Sequence, residues 1–544
     1  MKRCFIVTAL LMCFIMVASA CGGAPAGGGA TTAAQAATTA AQAAVTTAAA
    51  DTAATTAAAT TAAAAAQTTA AAVTQAATAD EPPLKLSGIF MQYNEPPHKD
   101  GAFWTAMEKE FNVDYDAVWE STDTYGQKID LVLASGDLPE IWYISGITNP
   151  SILKAIDAGA FWDITPYTMG NDFAEYPNLR DHTNRDAWIW SSVKGRNYMV
   201  PRTRGTIDTG YIIRKDWVDK LGMEIPATIE EMADFAIAIG TGDLDGNGKV
   251  DSIGMLPATG WFDDAFGGRD PVFTDDGQLI HFNMTDAYAD MIEYFRDIYA
   301  QGGIAQEFAL ISGQQQEELF MNGTMGTFNK NVWHTYRMQE EVKKVYPDAE
   351  TYCITHLLGP KGYANNRDLG FAGGNMFPKK NTDEEKLLKI LEFMNRTANP
   401  DYFNFLVYGV EGVHWNYEDG EPKATEKGLL EVTNSNAYPF TYSMDEFAKV
   451  NSPLATAEYN RNMREHVSKL YEIERKVPLF GVIISDTWNV EWPKISEEFN
   501  AMYVKAISGT ISMDEFKQYQ QELREMPGFQ QAFRELAESY KEFF

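Results

Sequence analysis

Residues 123–144 read DTYGQKIDLVLASGDLPEIWYI, and the fold turns on how that stretch divides. Ile129, Val132 and Leu133 fall on one face of a helix over residues 123–135. Gly136-Asp137-Leu138-Pro139 stops that helix, because glycine and proline punctuate regular structure. Residues 141–144, Ile-Trp-Tyr-Ile, then read as a buried strand. The same alternation extends in both directions. Upstream, residues 84–90 give a first strand and residues 102–111 a helix; downstream, strand and helix alternate for most of the chain. This predicts an α/β architecture with largely parallel sheets. Residues 495–544 read as helical throughout, broken at Gly509 and at Pro527-Gly528. No fixed-period repeat is present.

The N-terminus has a different character. Lys2 and Arg3 precede a mostly apolar run over residues 5–17, too short for a comfortable membrane span. Ala18-Ser19-Ala20 follow, then Cys21. Plain secretion would use such small residues, but the cysteine placed directly after them resembles a bacterial lipobox. Residues 1–20 are thus expected to be a signal peptide and Cys21 the lipidated first residue of an extracytoplasmic protein, palmitate included. Residues 22–80 are almost entirely Ala, Thr, Gly and Gln. They hold no large apolar side chains to offset the entropy of ordering, so residues 21–83 read as a disordered tether. Cys4 and Cys13 leave with the signal, which strands Cys353 as a single thiol with no intramolecular partner.

The 75 acidic and 44 basic residues give a net charge of -31. That argues against nucleic acid or an anionic bilayer as partner, both of which need concentrated Lys and Arg. Contact with the membrane is expected through the lipid anchor only. Catalytic motifs are absent: there is no H-E-x-x-H, no G-x-S-x-G and no P-loop. Asp263-Asp264 and Glu230-Glu231 are adjacent acids of a kind common in so acidic a chain, and Glu230-Glu231 suits the first turn of a helix capped by Thr228.

The sharpest local pattern is DLDGNGKVD at residues 243–251. It matches the first nine positions of an EF-hand loop: Asp243, Asp245 and Asn247 would offer side-chain oxygens to calcium, Lys249 its carbonyl and Asp251 a further carboxylate. Gly254 stands where the bidentate glutamate belongs. The role expected for Ca2+ is structural; the plainer alternative is an Asx-rich turn without metal. All 12 tryptophans lie beyond residue 100. Trp162 and Trp217 read as core. Trp261, Trp333 and Trp415 sit beside Gly, His, Asp or Asn, which favours partly exposed positions in a cleft, where flat sugar faces pack on aromatic rings.

Several segments together resemble the extracellular solute-binding proteins of family 1, especially the large lipoprotein branch of Gram-positive bacteria. They are Leu133 through Glu140, GAFWDITPY at residues 159–167, KGRNYMVP at 194–201, IRKDW at 213–217, PATIEE at 226–231 and FMNGTMG at 320–326. In that last segment Gly326 stands where the family carries a small residue. The likeness spans residues 84–544, and order and spacing carry it more than any one segment. It implies a two-lobed, periplasmic-binding-protein-like type II fold with a ligand cleft between the lobes. Lobe 1 would take residues 84–205 and about 371–445, lobe 2 residues 206–370 and about 446–544, with crossings near 203–209 and 371–375. The implied function is capture of a carbohydrate, an oligosaccharide by preference, for the permease subunits of an ABC transporter, by a monomer and without turnover. The resemblance puts ligand contacts at Trp333, Trp415, Trp261, Tyr93, Asn94 and Glu95, with Asp208 near the hinge. Arg202 and Arg204 would suit a uronic-acid or sulfated sugar, or else form hinge salt bridges. A peptide or other small solute is the alternative cargo, and an exported carbohydrate-active enzyme the remaining one.

Overall fold

The computed structural model describes residues 82–92, 98–147, 149–169, 172–269, 271–274, 277–367, 369–432, 440–448, 450–473 and 483–543. The signal segment, Cys21, the tether, and Tyr93, Asn94 and Glu95 lie outside the described residues.

Strand β1 (Leu84–Gln92) pairs in parallel with β2 (Val113–Ser121) and with β3 (Ile141–Ile144). The strand Phe371–Met376 joins antiparallel to β3 and also to β4 (Met199–Thr203), completing five strands. Strands β1 to β4 therefore all run the same way, with their C-terminal ends along one edge. The helix Tyr125–Ser135 packs Ile129 and Val132 onto this sheet, as its spacing predicts. It ends on Gly136 in a left-handed conformation, where glycine has no Cβ to clash. The core beneath holds Phe90, Trp104, Trp142, Tyr143 and Leu391, each essentially sealed from solvent. Side chains of this size contribute about 1.5–3 kcal/mol each on full burial.

Strand β5 (Ile207–Arg214) begins a second sheet. It pairs antiparallel with Thr327–Asn331, with Thr351–Ile354 and with Asn366–Arg367. The expectation of largely parallel sheets thus holds for β1 to β3 and fails for this second sheet, where every described pair is antiparallel. A parallel pair needs a crossover connection of a dozen residues or more, but a long connection does not by itself set strand direction. Between β5 and Thr327 the chain makes several helices, so strand–helix alternation carries no direction there. The second core gathers Trp217, Phe235, Phe262 and Phe295, closed over by the helices Asp486–Ile507, Met513–Glu525 and Pro527–Phe543. The first of these starts at Asp486 rather than 495: the Ser485 hydroxyl caps it by accepting from Trp488 N–H, and the helix continues through Pro493. A full capping box, Thr228 with Glu231, starts the helix Ile229–Gly240.

A third, smaller cluster joins Ile207, Val332 and Cys353 to Val450, Met463 and Val467, the last two from the helix Ala457–Ser468. Among the described residues no helix is long and apolar enough to cross a membrane.

Candidate binding site at the crossing between the two sheets

The chain leaves the first sheet at Thr203 and enters the second at Ile207, which places residues 204–206 at the C-terminal edge of β1 to β4. In open α/β sheets that edge is where ligands bind. The chain comes back between Arg367 and Phe371, and the two connectors are tied together: Arg204 N–H donates to Gly370 O at 2.8 Å. A third passage runs beside them. Glu446 accepts at 2.6 Å from both the backbone N–H and the hydroxyl of Thr206. Gly205 lies so close to it that a Cβ would stand 2.2 Å from Glu446 O, so only glycine fits. On the near side Thr441 donates to Pro201 O, and Met444 N–H to His182 O.

Register brings distant residues to this edge. Thr209 faces Asn331 across the antiparallel pair, so the strand Thr327–Asn331 runs back toward the crossing and delivers Asn331 and then Trp333 beside it. Asn331 Nδ2 donates to Asp208 Oδ1 at 2.6 Å. Arg204 approaches the same carboxylate oxygen at 3.5 Å. Its guanidinium carbon stands 6.0 Å from the centre of the Trp333 indole. Trp333 is half-buried and packs against the third cluster. The cluster therefore offers a charged acceptor, a charged donor, an amide and an apolar ring face within one small region. That combination suits a ligand with many hydroxyls and one flat face.

Two other candidate rings are sealed from solvent. Trp261 is 3% exposed, its indole N–H donating to Thr209 O at 3.1 Å and its ring packed edge-on against Tyr211. Trp415 is likewise 3% exposed, bonded to Gly409 O at 2.8 Å and set against Tyr417 in the hairpin of Trp415–Glu418 and Glu421–Ala424. The expectation that both are partly exposed is corrected. Their polar neighbours in sequence are loop-forming, but each ring turns inward and spends its N–H on backbone. Trp162 and Trp217 pack on the two cores as expected of structural residues. Asn331 and Glu446 went unmarked in the sequence; only strand register and the third passage reveal them.

The 243–251 loop folds on itself. Gly248 N–H donates to Asp243 Oδ2 at 2.9 Å, Asn247 N–H to Asp245 Oδ1 at 3.1 Å, and Lys249 N–H to Asn247 Oδ1 at 2.8 Å. Asn247 Nδ2 bridges Asp245 and Asp251 at 2.9 and 3.0 Å. Asp243 Oδ1 is buried without a hydrogen-bond partner. At Gly254 a Cβ would meet Ala236 O at 2.1 Å, so packing, and not only sequence, rules out a glutamate ligand there. Among the described residues no group of three His, Cys, Asp or Glu side chains is gathered as a metal site.

Comparison with known proteins adds the following. A family model described as bacterial extracellular solute-binding protein matches residues 95–398. The polygalacturonan/rhamnogalacturonan-binding protein YtcQ of Bacillus subtilis (strain 168) is 27% identical over 474 residues, covering 84% of this chain and 92% of its own. Lipoprotein LipO of the same organism is 24% identical over 415 residues, covering 74% and 79%. Among solved structures, the alginate-binding protein AlgQ2 without calcium ion superimposes with a TM-score of 0.64 at 18% identity, covering 85% of this chain and 98% of that one.

Proposed function

The chain belongs to the bacterial extracellular solute-binding protein family, and from that premise we propose that it captures an oligosaccharide between its two lobes and delivers it to the permease of an ABC importer. The observation that carries this reading is the cluster at the crossing: half-buried Trp333 beside Arg204, Asp208 and Asn331. Sugar hydroxyls accept from the guanidinium and amide and donate to the carboxylate, while the indole takes the C–H face of the ring. Relatives named for polygalacturonan, rhamnogalacturonan and alginate support carbohydrate over peptide. Residues on both sides of the crossing would contact one ligand, so binding favours the closed arrangement of the lobes by its differential affinity. Tyr93, Asn94 and Glu95, which follow Gln92 in the sequence, are proposed as further contacts. The protein acts as a monomer and releases its ligand chemically unchanged. Cys21 carries the lipid, and the likeness to a lipoprotein supports that anchor.

The 243–251 loop is proposed to hold a structural Ca2+ through Asp243, Asp245, Asn247, the Lys249 carbonyl and Asp251. The buried, unpartnered Asp243 oxygen fits a cation better than it fits a plain turn. Bound there, calcium would supply charge to the acidic loop and no chemistry to the ligand.

A thermal-shift screen of oligosaccharides tests the reading. One of them is expected to raise the melting temperature by mass action and to be recovered intact by mass spectrometry. Stabilisation by peptides alone, or recovery of shortened sugar, overturns it.

A further inference from the structure

We propose that Asn247 is a self-modification site: the backbone nitrogen of Gly248 attacks the Asn247 side-chain amide, and the residue ends as aspartate or isoaspartate. Neither the carbohydrate nor the calcium reading is needed for it. Asn-Gly occurs twice in the chain, at 247–248 and at 322–323, and the fold sets the two pairs differently.

At the first pair, each atom that the reaction uses is already held. The nucleophile is Gly248 N, whose N–H donates to Asp243 Oδ2 at 2.9 Å, so a carboxylate stands where the proton departs. The oxygen that gains charge as the nitrogen adds is Asn247 Oδ1, which accepts from Lys249 N–H at 2.8 Å. A fixed donor aimed at a developing oxyanion lowers the barrier to addition. The leaving nitrogen, Asn247 Nδ2, is held by Asp245 Oδ2 at 2.9 Å and Asp251 Oδ1 at 3.0 Å. Gly248 has no side chain to block the approach, the space around it is open, and both residues are exposed. Reacting groups held in place react far faster than free ones.

The second pair closes the helix Gly313–Met321. There Asn322 Oδ1 also accepts a backbone N–H, from Thr324 at 3.0 Å. Gly323 N–H, however, donates to Phe320 O at 3.1 Å, a carbonyl and not a base, and the Tyr346 ring fills the place that a Cβ would take. Asn322 thus has the oxyanion donor without the proton acceptor, which makes it an internal control.

The chemistry balances with water as its one co-reactant. As the N–Cγ bond forms, Gly248 N gives up its hydrogen. As the Cγ–Nδ2 bond breaks, that hydrogen and the two of the amide leave as ammonia, and a succinimide ring remains. Water adding at Cγ opens the ring to aspartate. Water adding at the main-chain carbonyl carbon of residue 247 opens it to isoaspartate, with the chain rerouted through the side chain. Either product removes the donor that now joins Asp245 to Asp251 and sets another negative charge beside them.

The experiment incubates the full-length protein with chelator in neutral buffer, folded and in urea. Peptide mass spectrometry then follows the mass gain of an NH2-to-OH exchange, and isoaspartate, at both positions. In the folded protein Asn247 is expected to convert about tenfold or more faster than Asn322, and in urea the two rates are expected to converge. D243N is expected to slow conversion at Asn247 about tenfold in the folded protein and to leave the rate in urea unchanged. A folded protein that keeps Asn247 intact, or converts Asn322 as fast, overturns the inference, and neither result requires a variant to fold. A gap between the two positions that persists in urea also overturns it, since local sequence and not the fold would then set the rates. So does a D243N protein that converts Asn247 at the parent rate when folded.

Discussion

Two polar clusters in this molecule are built in opposite ways. The 243–251 loop is contiguous in sequence and bonds largely to itself: Asp243, Asp245 and Asn247 each accept from a backbone N–H a few residues along, and Asp251 accepts from Asn247 Nδ2. The cluster at the crossing is assembled from Arg204, Asp208, Asn331 and Trp333, drawn together by the register of one antiparallel strand pair. A local cluster advertises itself as a motif but needs no tertiary structure to form. An assembled one comes together only when strands distant in sequence pair, and its partners are then fixed by register. The proposed ligand capture uses the second kind, because it stands beside the crossing between the two sheets.

Substitutions can break that contrast. The largest effect is expected at Trp261, which lies one layer beneath the crossing and is buried. Trp261→Ala should cost about 3–5 kcal/mol of stability in denaturant unfolding, as truncation of buried Trp does. If Trp261→Ala leaves stability intact, its ring is not the core element described here. Trp333→Ala should do the reverse. Ligand affinity is expected to fall by about 2–4 kcal/mol in titration, in the range of an interface hot spot, with the melting curve little changed. Full retained affinity would place the cleft elsewhere.

The local loop should respond more modestly. Calcium at a hundredfold excess over its Kd is expected to add about 2.7 kcal/mol, lost on chelation and absent in Asp245→Ala. A melting curve indifferent to chelator removes calcium from this loop.

The smallest effect concerns His466, beneath the crossing on the helix Ala457–Ser468. Its Nε2–H donates to Cys353 O at 2.6 Å and its Nδ1 faces the Tyr352 hydroxyl at 3.4 Å. Burial pushes its pKa below the ordinary histidine value, and Lys469 lowers it further, against the opposing bond to Cys353. His356, also depressed by burial, faces His466, Lys469 and Glu472. The unfolded chain then takes up a proton near pH 6.5 before the folded one does. Stability is full above that pH and declines as pH falls below it. His466→Gln should flatten part of that decline in melting curves between pH 7 and 5; an identical profile would show that His466 does not titrate with unfolding.

How much of this was legible depended on the range of the interaction. The helix Tyr125–Ser135 and strand β3 follow from apolar spacing and a Gly-Pro stop, both local properties. The Thr228 capping box was visible for the same reason. Strand direction in the second sheet was not, since several helices separate β5 from its partners. The tryptophans show the limit most clearly. Trp261, Trp333 and Trp415 have similar loop-like neighbours, yet two are sealed and bonded to backbone while Trp333 is half-buried. Loop composition reports where the backbone turns; it carries nothing about which way the ring then points. Asp208 was found near the hinge, but its tight partner Asn331 lies on a strand where nothing marks an asparagine as special.

The grip of Glu446 on Thr206, with Gly205 pressed against it, has a mechanical consequence. Two bodies joined by one thread can spin about it, and two threads lying side by side still permit them to shear. A third thread, fastened to the first at its midpoint, restrains both motions, as a pin steadies a door in its frame. In the closing motion proposed above, such a pin would make each turn of the door present the same outer face, the condition a fixed receptor in a membrane requires of any partner it is to recognise.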